Sequence, residues 1–222
     1  MDAWEDLRPT LIGCSACDAA CTDSLRAPGS YPLVGRFRHW PNGALFIFEA
    51  PNWNDTFDHD KGYPTYDRDT DPTGRFTRRL LREELQLDVS YFQVTNAVLC
   101  LPRRSNGKYP VDPAQLRECS PLLSRQIEAL NPAVVVPVGG KALAATRLIE
   151  RHGFVRMRDA VARKIPWAGR WLFPLYHPSK LGRHPLTGRP ESEQRADWRA
   201  LRGVLLELGA GIPPPPRDQL AD

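Results

Sequence analysis

Four short apolar runs punctuate the chain: GALFIFEAP at 43–51, FQVTNAVLC at 92–100, PAVVVPVGG at 132–140 and RWLFPLYHP at 170–178. Each is rich in β-branched and aromatic residues and is bounded by glycine, proline or a polar residue, so each predicts a buried strand. The stretches between them carry helical spacing instead. In 73–88 the apolar positions are Phe76, Leu80, Leu81, Leu85 and Leu87, and comparable patterns run through 112–130, 140–153 and 192–211. Asp112 is a capping residue with Pro113 in the first turn behind it, and glycines stop the last helix. Strand and helix in alternation predict an α/β fold in three layers, a mostly parallel four-stranded sheet with helices on both faces. No internal repeat period is present. Residues 1–210 are expected to form a single domain. Four consecutive prolines in GAGIPPPPRDQLAD deny the end of the chain both helix and sheet, so 211–222 should be extended or disordered.

Open parallel sheets bind their ligands where the chain leaves the carboxyl ends of the strands. Three of the four runs end on chemistry, with Glu49 after the first, Asn96 inside the end of the second and His177 after the last. The composition, 41% hydrophobic and 25% charged over 222 residues, is that of a folded chain rather than a disordered one. The amino terminus, MDAWEDLRPT, has acids where a secretory signal has basic residues, and no apolar run approaches a membrane span, so a cytoplasmic address is expected. In that reducing compartment the five cysteines are better suited to metal, cluster or free-thiol roles than to disulfides.

The net charge of +4 conceals an asymmetry. Residues 1–99 hold 10 Lys and Arg against 15 Asp and Glu, a net of −5, while residues 100–222 hold 20 against 11, a net of +9. A basic half of this kind attracts phosphate backbones, although solvated surface arginines account for it equally well.

Cys14 and Cys17 form a C-x-x-C whose short turn brings two sulfurs to one side, suited to a shared metal or cluster. Cys100 ends a predicted strand and Cys119 lies in the next helix, with the basic loop LPRRSNGKYPV between them. Four thiolates would pin both ends of that loop and display it as a rigid basic hairpin. Cysteines at 100 and 119 equally serve as small buried hydrophobes, four-thiolate zinc is chemically possible, and Cys21 is left over.

With these residues in hand, the chain resembles the uracil-DNA glycosylase superfamily, and most closely its iron-sulfur family 4. LIGCSACDAA resembles that family's amino-terminal C-x-x-C segment, FEAPN its G-E-A-P-G motif, and TNAVLCLPRR with the helix through Cys119 its second cysteine-bearing region. YHPSKLGR resembles its H-P-S motif. The four stretches span residues 11–183 in the family's order. The resemblance implies that Cys14, Cys17, Cys100 and Cys119 ligate a structural 4Fe-4S cluster. It implies that Asn96 pairs with the edge of a flipped uracil, that His177 donates to the base oxygen as negative charge grows there, and that Glu49 faces the sugar to orient water or stabilise its cation. Ala50 would join Asn96 and His177 at the base, Ser179 and Lys180 would meet flanking phosphates, and Leu181 and Arg183 would enter the base stack. Arg103 and Arg104 of the basic loop would contact DNA.

Departures from the family pattern are specific. Phe48 and Asn52 replace the motif's two glycines, which removes backbone freedom at that place. Thr65 stands where the family carries a phenylalanine that stacks on uracil, so neighbouring Tyr66 becomes the expected stacking ring. The implied activity is hydrolysis of the N-glycosidic bond of uracil in DNA, leaving an abasic site in base excision repair. The expected partner is uracil-bearing DNA, single-stranded DNA included, with the protein a monomer away from membranes. Two other readings stay open: an iron-sulfur nucleic-acid-binding protein of the same fold with altered or no catalysis, and a small-ligand α/β enzyme.

Overall fold

The computed structural model describes residues 3–19, 34, 38–51, 72–106, 108 and 110–215. The chain opens with helices α1 (Ala3–Ile12) and α2 (Ala16–Ala19) and enters strand β1 (Ala44–Phe48). Helix α3 (Pro72–Arg79) runs into a π-helical segment (Leu80–Leu85) before β2 (Gln93–Asn96). Then come α4 (Pro113–Leu130), β3 (Val134–Pro137), α5 (Gly140–Ile149), α6 (Met157–Ala160), β4 (Ile165–Trp167), β5 (Arg170–Leu172) and α7 (Glu191–Glu207). The sheet has the order β2-β1-β3-β5-β4, parallel throughout except for the β4–β5 pair.

The expected three layers are present because the central strands are buried on both faces. Along β1, Leu45 and Ile47 join one apolar cluster with Leu123 and Ile127 of α4, while Ala44, Phe46 and Phe48 join another with Phe76, Leu80 and Trp198. A strand that alternates between two dry layers needs apolar residues at every position, and β1 has them. Phe46 stacks on Trp198 of α7 at 5.3 Å between ring centroids, which seats α7 against the sheet.

Two elements differ from the sequence expectation. The sheet has five strands rather than four. The added β4 is an edge strand turned into β5 through Ala168 and Gly169, both at positive φ, 47° and 70°. Such a two-residue hairpin is normally signalled by Asn-Gly or Asp-Gly, and alanine at the first position hid it. The pattern over 73–88, expected as a helix, widens into π-geometry from Leu80 and closes at Gln86 in the left-handed region. Widening keeps Leu80, Leu81 and Leu85 all buried and sets Glu84 against Arg195 at 2.7 Å and Arg199 at 2.6 Å on α7. Helix α4 starts as expected: Asp112 accepts from the Ala114 amide at 2.7 Å and Gln115 reaches back to the Asp112 amide at 2.9 Å. Beyond α7 the chain to 215 is irregular yet docked, with Trp40 donating to the Gly211 carbonyl at 2.7 Å and Asp88 to that of Pro213 at 2.8 Å. No described helix is long and apolar enough to cross a membrane.

Candidate active site

Four parallel strands deliver the chain to one rim. Phe48 and Asn96 are register partners at the ends of β1 and β2. The β3–β5 pairing continues through a bridge between Val138 and Leu175, so Gly139 and His177 emerge beside each other. A pocket of about 360 Å³ opens there, lined among others by Glu49, Met157, Tyr176, His177, Ser179 and Leu181.

His177 is held by its own loop. The Ser179 backbone N–H donates to its Nδ1 at 3.2 Å, so the ring carries its proton on Nε2. Ser179 Oγ in turn accepts from the Gly182 amide at 3.1 Å. Gly182 lies so close to the His177 carbonyl that any Cβ there would overlap it. Gln194 of α7, only 1% exposed, donates to the carbonyls of Gly182 at 2.9 Å and Arg189 at 3.0 Å. Arg189 is anchored by Asp197, Nη2 to Oδ1 at 2.7 Å.

Glu49, just past β1, forms another part of the lining. Its carbonyl accepts from the Val98 amide at 3.1 Å. Burial raises its carboxyl above the ordinary glutamate range, and the Lys141 ammonium pulls in the other direction. Lys141 is itself tethered to the Val111 carbonyl at 3.0 Å. Gly139, at φ 94°, turns β3 into α5, and a side chain there would meet His177 Cβ at 3.5 Å. The turn at 137–142 connects β3 to α5, and its two glycines also line the pocket. The positive end of the α5 dipole therefore faces the cavity.

Asn96 is 6% exposed and is not among the pocket's described lining residues. It sits one strand further along the rim, beside Phe48, whose ring meets that of His177 edge-on at 5.5 Å. Of the three expected site residues, Glu49 and His177 line this pocket, and Asn96 lies beside Phe48 at the end of the neighbouring strand. Ala50 is half-buried and packs toward the α1–α4 side rather than lining the pocket.

The family model described as the uracil DNA glycosylase superfamily matches residues 56–202. The chain belongs to that superfamily. It is similar to a type-4 uracil-DNA glycosylase of Sulfurisphaera tokodaii, 24% identical over 184 residues that cover 81% of this chain and 76% of that protein. A type-4 uracil-DNA glycosylase of Saccharolobus solfataricus is 33% identical over 144 residues, 61% of this chain and 60% of that one.

In this uracil-DNA glycosylase fold the cysteine-bearing amino-terminal segment lies against the sheet's α4 side. α1 and α2 pack on α4, and Cys17, Cys100 and Cys119 are buried with Cys14 half-buried. Cys119 hydrogen-bonds with Cys17 and has Cys100 as an electrostatic neighbour; that bond and burial push its thiol well above the usual cysteine range. The described cysteines form no disulfide. Among the described residues no three or more His, Cys, Asp or Glu side chains form a group that could hold a metal ion.

The expected DNA contacts divide. Arg103 and Arg104 are exposed on the loop after β2, which closes in a tight turn where Ser105 and Lys108 exchange backbone bonds of 2.8 and 2.9 Å. Lys180 is exposed, and Leu181 is 75% exposed at the pocket mouth. Arg183 places its guanidinium 4.5 Å over the Phe76 ring and 3.4 Å from Glu191. Tyr66, Thr65, Asn52 and Cys21 lie outside the described residues. Tyr176 and Met157 are lining residues that the sequence reading passed over, because each sits in an apolar stretch that reads as core.

Proposed function

We propose that this superfamily member is a monofunctional uracil-DNA glycosylase that binds a uracil extruded from DNA and hydrolyses its N-glycosidic bond, leaving an abasic site. The observation that carries this is a histidine whose Nδ1 accepts from the Ser179 backbone, leaving Nε2 to donate, and a half-buried carboxylate lining the same pocket at the carboxyl rim of a parallel sheet. His177 Nε2–H donates to the base oxygen that gains negative charge as the bond breaks, an interaction stronger in the transition state than before it. The amides at the start of α5 add the same sign of potential. Glu49, once ionised, stabilises the sugar cation and orients the attacking water. Asn96 reads the base edge from beside Phe48, and Ser179, Lys180, Arg103 and Arg104 hold the backbone. The test is a labelled uracil-bearing oligonucleotide incubated with the protein and heated in alkali: strand scission supports the enzyme.

Phe48 favours one alternative, a protein of this fold with altered base choice or with binding alone, because its ring takes room between Asn96 and His177. Gel retention without scission on uracil, hypoxanthine and xanthine substrates would select binding alone.

We further propose a structural 4Fe-4S cluster on Cys14, Cys17, Cys100 and Cys119. What supports it is the donor chemistry: Cys17, Cys100 and Cys119 are buried as neighbours, and Cys14 is one C-x-x-C turn from Cys17, although the four are not drawn into a ligand group in this structure. When bound, the cluster supplies a cross-link between the amino-terminal helices, the end of β2 and α4. Iron and sulfide content of protein purified without oxygen tests it, with zinc in their place selecting a four-thiolate zinc site. A cytoplasmic monomer is the corresponding working state.

A further inference from the structure

The loop after β5 repeats itself. His177-Pro178-Ser179-Lys180-Leu181-Gly182-Arg183 is followed at once by His184-Pro185-Leu186-Thr187-Gly188-Arg189. The likeness is structural as well. The Ser179 N–H donates to His177 Nδ1 at 3.2 Å, and the Leu186 N–H donates to His184 Nδ1 at 3.3 Å. Each unit carries a glycine that no other residue can replace without overlap, Gly182 on the His177 carbonyl and Gly188 on the Gly182 carbonyl. The second turn is stacked on the first through His184 N–H to the Leu181 carbonyl at 3.1 Å, and Arg189 N–H closes onto the Gly182 carbonyl at 2.8 Å. Each turn presents one leucine to solvent, Leu181 at 75% and Leu186 at 88% exposure, the latter the most exposed large apolar side chain among the described residues.

A single exposed leucine needs no explanation. Two on one loop, each held by the same turn and scaffolded from below by buried Gln194, are another matter, because the loop's rigidity keeps them from folding inward. Thr187 and Gly188, the residues right after Leu186, line the same pocket as Leu181. We propose that Leu186 is a second apolar wedge, which enters the base stack beside the lesion when a complementary strand is present. Leu181 fills the space that the extruded base leaves, and one wedge suffices for a single strand. A second prong has a second stacked surface to meet only in duplex DNA, where it offsets the cost of unstacking. The loop thereby makes the site competent on paired DNA. This rests on the glycosylase reading above.

Single-turnover excision is measured for the full-length protein and Leu186→Ala on one uracil-bearing strand, alone and annealed opposite guanine. The variant should lose roughly tenfold on the duplex and stay within about twofold on the single strand, the loss being that of one leucine's burial. Leu186→Met should recover most of the duplex rate. A 2-aminopurine beside the position opposite the uracil should brighten on binding the parent protein and stay dim with Leu186→Ala. Equal rates of parent and variant on the duplex, or equal losses on both substrates, overturn the second wedge while leaving the glycosylase standing. No excision by the parent protein on either substrate overturns the glycosylase reading, and the wedge with it.

Discussion

At the His177 wall of the pocket the backbone folds onto itself through Gly182 and Gly188, and hydrogen bonds from Ser179, Gly182 and Gln194 hold the loop that bears on the histidine. At the β1 end the chain does the opposite, filling with the Phe48 ring a place where the family motif carries a bare backbone. The first wall is preorganised and narrow in what it tolerates. The second is packed like a core, with Asn96 beside the ring and Glu49 just past it. Under the proposed function the work divides the same way, with the fixed donor meeting the leaving-base oxygen and base choice falling to the packed wall.

The largest effect should come from the fixed donor. His177→Ala should lower single-turnover uracil excision about 10²–10³-fold, the loss usual for a donor aimed at developing charge. Asn96→Ala should cost less, because Phe48 stands between that amide and the cavity wall formed by His177. Equal losses in the two variants would break the comparison, since they require the Phe48 ring to swing clear when DNA binds.

Glu49→Gln should lower the rate about 10²-fold and at the same time raise thermal stability at neutral pH. The sign follows from burial. The folded state raises the Glu49 carboxyl, so it holds the proton more tightly than the unfolded chain does. That contribution to stability is present below the unfolded value and is lost as pH rises through the native one; at neutral pH the buried charge is a burden that glutamine removes. A melting temperature unchanged or lower in Glu49→Gln would show that the carboxylate is well solvated.

Glycine substitutions sharpen the contrast at lower amplitude. Gly182→Ala should cost about 1–3 kcal/mol through overlap with the His177 carbonyl and should carry activity down with it. Gly140→Ala, with nothing within 4 Å of the added carbon, should melt like the parent. Denaturant midpoints for the pair separate a loop under close contact from a glycine that merely begins a helix.

Much of this arrangement was legible in the chain before its structure. Four apolar runs at strand length, separated by stretches with helical period, specify a parallel sheet and its rim, and Asp112 with Pro113 marks the start of α4 to the residue. His177 and Glu49 were legible because they follow strand ends, where the topology leaves little choice of direction. What stayed hidden depended on side-chain volume or on backbone geometry that no short pattern encodes. Phe48 reads as one more strand residue, yet its ring meets that of His177 while its register partner is Asn96. Arg183 reads as a basic residue near DNA, yet its guanidinium rests on Phe76, far from it in sequence, and beside Glu191, eight residues on. The π-turn at Leu80–Leu85 and the Ala168–Gly169 hairpin are local answers to packing, since helical period and turn chemistry alone predict an ordinary helix and no hairpin.

The smallest effect, and the one most specific to the second wall, belongs to Lys141. Its ammonium is the charge that partly offsets burial at Glu49, and it reaches across from the start of α5 while tied to the Val111 carbonyl. In Lys141→Met that offset disappears, so the Glu49 carboxyl rises further and the acid limb of the pH–rate profile moves to higher pH. Well above that limb the two proteins should excise uracil at similar rates, because Glu49 is ionised in both. The variant should also bind DNA slightly less tightly at low salt, one cation being lost from the rim. A shifted acid limb with an unchanged plateau would identify Glu49 as the group that must ionise. An unmoved limb with a lowered plateau would assign Lys141 to the DNA backbone and leave the titrating group to be sought on the His177 wall.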